Sequence, residues 1–260
     1  MDKIGNITLI HGDCMEYLRS LPDNAFDLAV VDPPYGDGNF QTPPSQKSNE
    51  ARWGGVVQPL QETDGTDSER GSTVTREPSQ LRALTGRFQR YSRQLPPQYT
   101  DNQPKGIWWD IAPSQEYFDE LFRVSKNQII WGGNYFNLPP TRCFLIWRKL
   151  SISEKFSMAM CEYAWTSFNA NAKVFECVPQ GTKKDPRFHP TQKPIKLYQW
   201  ILERYAKDGD KILDTHLGSG SSAIAAQSLG LEFVGLEIDG EYYEKAKQRL
   251  INHINATKGI

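Results

Sequence analysis

Seven short apolar runs punctuate this chain: Ile7 to Ile10, Leu28 to Val31, Gln128 to Trp131, Cys143 to Trp147, Tyr163 to Trp165, Lys211 to Leu213 and Phe233 to Leu236. Short runs that are apolar nearly throughout, rather than alternating, read as strands covered on both faces. Amphipathic stretches with helical spacing lie among them, at Cys14 to Ser20, Ser114 to Val124, Pro194 to Ala206, Ser221 to Leu229 and Gly240 to about Ile254. The first strand–helix pair and the last two are the repeating unit of a parallel sheet with helices on both sides. The runs near 128, 143 and 163 follow one another with no clear helix between, which predicts an antiparallel strand toward one edge.

One long segment does not fit this pattern. Between Gly36 and Lys105, Gly, Pro, Ser, Thr and Gln make up 36 of 70 residues. Such a composition buries too little apolar surface to offset its ordering entropy, so residues 36–105 read as a long irregular insertion. Its second half carries Arg76, Arg82, Arg87, Arg90 and Arg93 interleaved with Phe88 and Tyr91. That pattern suits a phosphate backbone, and equally a solvated linker.

With 30 basic and 31 acidic residues the net charge is −1, which excludes a globally basic nucleic-acid binder but not a local basic face. Arg142, Arg148 and Lys149 form one such cluster, and Lys183, Lys184 and Arg187 another. Cys14, Cys143, Cys161 and Cys177 form no CxxC pair, so neither a disulfide framework nor a zinc site is expected. No apolar run approaches the ~20 residues of a membrane helix, and the N-terminus has no signal-peptide pattern. The expectation is a cytoplasmic protein with reduced thiols, no metal and no membrane association.

In a doubly wound sheet, ligands sit at the carboxyl ends of the strands. After Leu213 comes Asp214-Thr215-His216-Leu217-Gly218-Ser219-Gly220-Ser221-Ser222, then a helix. Its glycines let the backbone pass close to a ligand, although a tight strand-to-helix turn has the same form. The third glycine of a dinucleotide fingerprint is missing, which argues against a nicotinamide-dependent oxidoreductase. The next strand ends in Glu237-Ile238-Asp239, where Glu237 is placed to hold two ribose hydroxyls and Asp239 to cap a helix. His11-Gly12-Asp13 ends the first strand, and Asp13 reads either as an acceptor for an adenine amino group or as the cap of the helix from Cys14.

Asp32-Pro33-Pro34-Tyr35 follows Val31. Two prolines remove two backbone donors and fix the direction of the chain. Free carbonyls, the Asp32 carboxylate and the flat Tyr35 ring together suit a planar base bearing an amino group. His189-Pro190-Thr191-Gln192-Lys193-Pro194 brings a cation to the same region, just before the helix that leads to the glycine loop.

These motifs resemble those of the amino-group DNA methyltransferases that use S-adenosylmethionine. The catalytic tetrapeptide precedes the cofactor loop, an order similar to the beta class and closest to short adenine-specific enzymes of phage and mobile-element type. Trp131-Gly132-Gly133-Asn134-Tyr135-Phe136 and Ala164-Trp165-Thr166-Ser167-Phe168 resemble the same group, and the likeness covers about residues 7 to 35 and 108 to 250. The resemblance implies an α/β, Rossmann-like methyltransferase fold with a seven-stranded mixed sheet and one antiparallel strand. Its order is circularly permuted: the strands at 211, 233 and 7 would lie side by side although the chain ends after the second and starts at the third. Residues 1–35 and 106–260 would form one methyltransferase domain, with 169–188 as a short target-recognition region.

The implied catalytic residues are Asp32, Pro33, Pro34 and Tyr35. The implied cofactor residues are Asp13, Cys14, Asp32, Lys193, Asp214, His216, Gly218, Ser219, Gly220, Ser221, Glu237 and Ile238. The chain departs from the group at Thr215-His216, where most relatives have Pro-Phe, and the recognition region is short. The implied substrate is the N6 amino group of an adenine in double-stranded DNA. A cytosine-N4 enzyme is the nearest rival, but that group more often has Ser in place of Asp32. RNA and protein methyltransferases commonly show Asn there. A homodimer and a cognate restriction endonuclease both stay open.

Overall fold

The computed structural model describes residues 1–36, 111–156, 159–179 and 185–258. The 36–105 insertion, Gly36 apart, lies outside them. Nine strands form one sheet: β1 (Asp2–Ile4), β2 (Ile7–His11), β3 (Phe26–Val31), β4 (Ser125–Trp131), β5 (Phe144–Lys149), β6 (Cys161–Thr166), β7 (Lys173–Cys177), β8 (Lys211–Asp214) and β9 (Glu232–Glu237). Five helices accompany them: α1 (Cys14–Arg19), α2 (Gln115–Val124), α3 (Ile195–Tyr205), α4 (Ser221–Ser228) and α5 (Gly240–Lys258).

The spatial order is β1-β2-β9-β8-β3-β4-β6-β5-β7. From β2 to β4 all neighbours are parallel, and β6 runs against both β4 and β5. β9 lies between β8 and β2, as the permuted order requires.

Seven strands were expected and nine are present among the described residues. The seven expected runs form the continuous block from β2 to β5, with β6 its one antiparallel member. The two additions sit at the edges, where a strand needs little apolar character because one side has no neighbour. β1 has three residues and folds back on β2 through a Gly5-Asn6 turn, with Gly5 at φ 63°. β7 pairs in parallel with β5 and leaves Val174 54% exposed. β7 occupies part of the 169–188 stretch.

Alternation along each strand sends side chains into two layers. Leu28 and Val30 of β3 join Ile129 and Trp131 of β4 in a core shared with Leu197 and Ile201 of α3 and with α4. Ala29 and Val31 face the other way, onto Leu18 of α1 and Tyr117, Phe118 and Leu121 of α2. Among the described residues no helix is long and apolar enough to cross a membrane. Where the chain leaves the sheet after β3 it passes the point where it returns: a side chain on Gly36, φ 81°, would lie 3.6 Å from the Ala112 Cβ.

Candidate active site

The order β2-β9-β8-β3 sets the ends of four neighbouring parallel strands in a row. Asp13 follows β2, Glu237 closes β9, Asp214 closes β8 and Asp32 follows β3. The four acids picked out in the sequence therefore line one edge of the sheet, the edge at which such folds bind ligands.

Asp32 is engaged on both oxygens. Oδ1 accepts from the Tyr35 hydroxyl at 2.8 Å, and Oδ2 pairs with Lys193 Nζ at 2.5 Å. Lys193 also reaches Glu162 Oε2 at 3.3 Å, and Glu162 Oε1 pairs with Lys149 Nζ at 2.5 Å. Asp32, Lys193, Glu162 and Lys149 thus form a line of alternating charge. Burial pushes the Asp32 carboxyl above the usual range, against the pull of Lys193. Burial alone would lower Lys193, but Asp32 and Glu162 outweigh it and hold the amine above its ordinary value, as a cation. Burial raises Glu162 too, yet Lys193 and Lys149 prevail and keep it ionised. Burial and the neighbouring Asp32 carboxylate push the Tyr35 hydroxyl well up, so it stays a donor.

The Tyr35 ring is held by the segment after β4. It stacks on Tyr135 at 4.8 Å and 14°, with Phe136 edge-on at 6.1 Å. Gly132, at φ 70°, supplies the space: a Cβ there would lie 2.2 Å from Tyr35 Cε1.

In the glycine loop, Asp214 is buried and accepts from Ser222 Oγ at 2.5 Å and from the His216 amide at 3.0 Å. Burial lifts its pKa to about 7. Thr215 bonds the Tyr117 hydroxyl at 2.6 Å and His216 Nδ1 at 2.9 Å. Burial lowers the His216 pKa to about 4, so the ring is neutral near pH 7. The pair replacing Pro-Phe is therefore built into a polar chain. Glu237 accepts from the Gly218 amide at 2.8 Å and the Asp239 amide at 3.0 Å, which fixes the orientation of its carboxylate. Gly218 and Gly220 take φ 51° and 75°. Ser221 Oγ donates to the Lys193 carbonyl at 2.7 Å. Arg249 of α5 ties the loop down, donating to the Ser219 carbonyl at 2.8 Å and pairing with Asp185.

The peripheral candidates are placed differently. Asp13 is exposed and caps α1, accepting from the Met15 amide at 2.8 Å. Cys14 begins α1, and burial pushes its thiol up to about 12. Ile238 is 55% exposed. Lys193 joins the loop through its backbone, but its amine points to Asp32 and Glu162. Pro33 is buried.

Sequence reading missed Glu162, Tyr117 and Arg249, and it grouped Lys149 with an exposed basic cluster. Lys149 is only 6% exposed. The signal was available: in β5, Leu145, Trp147 and Lys149 alternate with exposed Phe144 and Arg148, so Lys149 shares the buried face. Among the described residues no group of three or more His, Cys, Asp or Glu side chains is placed to hold a metal ion.

A DNA methylase family model matches residues 82–248. The chain is 44% identical over 62 residues to the type II methyltransferase M2.DpnII of Streptococcus pneumoniae, a match covering 24% of this chain and 23% of the relative. It is 40% identical over 82 residues to the type II methyltransferase M2.LlaDCHI of Lactococcus lactis subsp. cremoris, covering 30% of each. The chain thus spans less than a third of the length of these curated relatives. Among solved structures, the M1.HpyAVI–SAM complex superposes with a TM-score of 0.50 at 18% identity, covering 94% of this chain and 98% of the other. The cytosine-N4-specific PvuII DNA methyltransferase gives 0.52 at 11% identity, covering 97% and 94%. At these identities the structural likeness speaks for the fold.

Proposed function

This chain belongs to the DNA methylase family, and from that premise we propose that it transfers a methyl group from S-adenosylmethionine to the N6 amino group of an adenine turned out of duplex DNA. The row of acids from β2 to β3, ending in Asp32-Pro33-Pro34-Tyr35, is the observation that carries this reading. Asp before Pro-Pro-Tyr favours adenine over cytosine. A cytoplasmic setting belongs to the same reading.

The residues present fit the cofactor. Glu237, oriented by two backbone amides, suits a pair of ribose hydroxyls. Gly218 and Gly220, at positive φ, shape the loop that follows β8, with their own amides engaged by Glu237 and the Leu217 carbonyl. Neutral His216 adds no positive charge beside a sulfonium. Asp13 retains acceptor capacity beyond its cap bond, for the adenine amino group of the cofactor. When bound, S-adenosylmethionine supplies an electrophilic methyl group.

The chain's own task is to make a poor nucleophile competent. The lone pair of an exocyclic amine is delocalised into its ring. Asp32 and the Pro33 carbonyl each accept one amino hydrogen, which draws the nitrogen toward tetrahedral geometry and localises that pair. A carboxylate has about four acceptor sites, so Asp32 has capacity beyond Tyr35 and Lys193. Tyr35, backed by Tyr135, offers a face for the base to stack on. Turning the base out of the duplex costs a few kcal/mol, which such stacking offsets in part. The methylated nitrogen sheds a proton, and Asp32, made more basic by burial, is placed to take it.

The test is mass spectrometry of nucleosides from unmethylated duplex DNA incubated with the protein and labelled S-adenosylmethionine. Labelled N6-methyladenine is expected, and Asp32→Ala is expected to abolish it while calorimetric cofactor affinity stays within about fivefold. Label in cytosine would move the substrate, and no label in either base would refute the proposal.

A further inference from the structure

Glu162 lies on β6, outside every motif considered above, yet it reaches into the site. Lys149 alone could neutralise it. The second contact, to Lys193 at 3.3 Å, needs a reason, because Lys193 already has a carboxylate partner in Asp32 at 2.5 Å. Lys193 is 3% exposed, and its amine lies over the rings of Trp131 at 5.2 Å and Tyr35 at 5.9 Å. A cation in that position can move only between its two carboxylates, since any other displacement leaves a buried charge unpaired.

We infer that Glu162 is a positioning residue: it shares the Lys193 ammonium with Asp32 and offers it a second seat when a substrate amino group takes up the Asp32 carboxylate. This role rests on the function proposed above. Lys193 bound to Asp32 alone would draw on the carboxylate's electron density and compete with the amino hydrogens for its oxygens. Sharing with Glu162 weakens that competition and keeps the cation paired throughout. Lys149, at 2.5 Å on the far side, holds Glu162 in place and ionised. The charged and titratable groups facing Glu162 are Lys149 from β5, Lys193 from the segment before α3, Asp32 and Tyr35 from the segment after β3, and Tyr198 from α3. Two carboxylates and two ammonium groups balance, and removing either acid leaves one excess positive charge.

The test compares Glu162→Gln and Glu162→Asp with the wild type in the full-length protein. Lysine side-chain NMR is expected to show Lys193 titrating at lower pH in Glu162→Gln. Single-turnover methyl transfer to duplex DNA is expected to slow about 10- to 100-fold with cofactor affinity unchanged, and Glu162→Asp to recover part of the rate. Both limbs of the pH–rate profile should move to lower pH, because Asp32 loses a neighbouring negative charge and Lys193 loses a counterion. A merely structural Glu162 would lower the melting temperature and leave the limbs in place. If Glu162→Gln loses its cooperative melt, Lys149→Gln replaces it: Lys193 then serves two carboxylates alone and must titrate higher than in wild type. An active wild type whose Lys193 titration and pH limbs do not respond to these changes overturns the role alone. A wild type that labels no DNA removes the proposed function, and the role with it.

Discussion

Gly132→Ala isolates the contribution of the Tyr35 ring. A Cβ at this position would lie 2.2 Å from Tyr35 Cε1 and 2.6 Å from Cδ1 and Cζ. Carbon atoms rest at about 3.5 Å or more, so the ring must retreat by roughly 1.3 Å. The ring is stacked on Tyr135, so the retreat disturbs that stack as well. The Tyr35–Asp32 bond, now 2.8 Å, would lengthen beyond the ~3.2 Å limit of a good hydrogen bond. Misplacing an active-site group by ~1 Å costs about 100-fold in rate. The expected stability loss is about 1–2 kcal/mol for alanine in the left-handed region plus about 1 kcal/mol for the bond. Gly209→Ala is the control, because Gly209 has φ 84° but nothing within 4 Å of the added carbon. It pays the backbone strain alone. Single-turnover transfer of labelled methyl groups, with calorimetric cofactor binding and thermal melts, should show Gly132→Ala about 100-fold slower at unchanged cofactor affinity, and Gly209→Ala at the wild-type rate. If both variants reacted equally fast, Tyr35 would not position the base and the role given to it would be wrong.

Asp214 predicts a pH dependence of stability. Its pKa rises from an ordinary 3.8 to about 7, so between these values the folded chain keeps a proton that the unfolded chain has released. Its contribution therefore declines as pH rises through this window, by about 4 kcal/mol in all. In urea unfolding, Asp214→Asn should gain on the wild type by that amount between pH 4 and pH 7.5, with any lost hydrogen bond adding only a constant offset; parallel curves would refute the assignment. Removing residues 40 to 100 should leave a protein that melts cooperatively, because the sheet and both core layers described here are built from residues 1–36 and 111–258. Loss of the transition in calorimetry would place that segment in the core.

The interior of the sheet was legible because strands buried on both faces are apolar over most of their length. Leu28 to Val31 and Phe233 to Leu236 declare themselves by composition. Once the strands are ordered, the acids at their tips follow. The edges were not legible: β7 is largely exposed and resembles loop, and β1 is too short to show a period. The Glu162–Lys193–Asp32 line was hidden for a different reason. Its members come from the segments after β3, in β6 and before α3, and only the pairing of β6 with β4 brings them together. Asp13 was legible in position but ambiguous in role, since an acid that begins a helix and an acid that ends a strand occupy the same place in the sequence.

The approach of Gly36 to Ala112 changes what an insertion costs here. The two ends of the intervening stretch already meet on the folded core, so the core supplies the closure whatever lies between. Closing a flexible loop costs only about 0.6 kcal/mol more for each doubling of its length. At this doorway, segments of very different length and composition can be exchanged with little effect on the sheet. The doorway also stands one residue beyond Tyr35. Sequence added there joins the chain next to Tyr35, so variation in length that is nearly neutral for folding begins one residue from the proposed site.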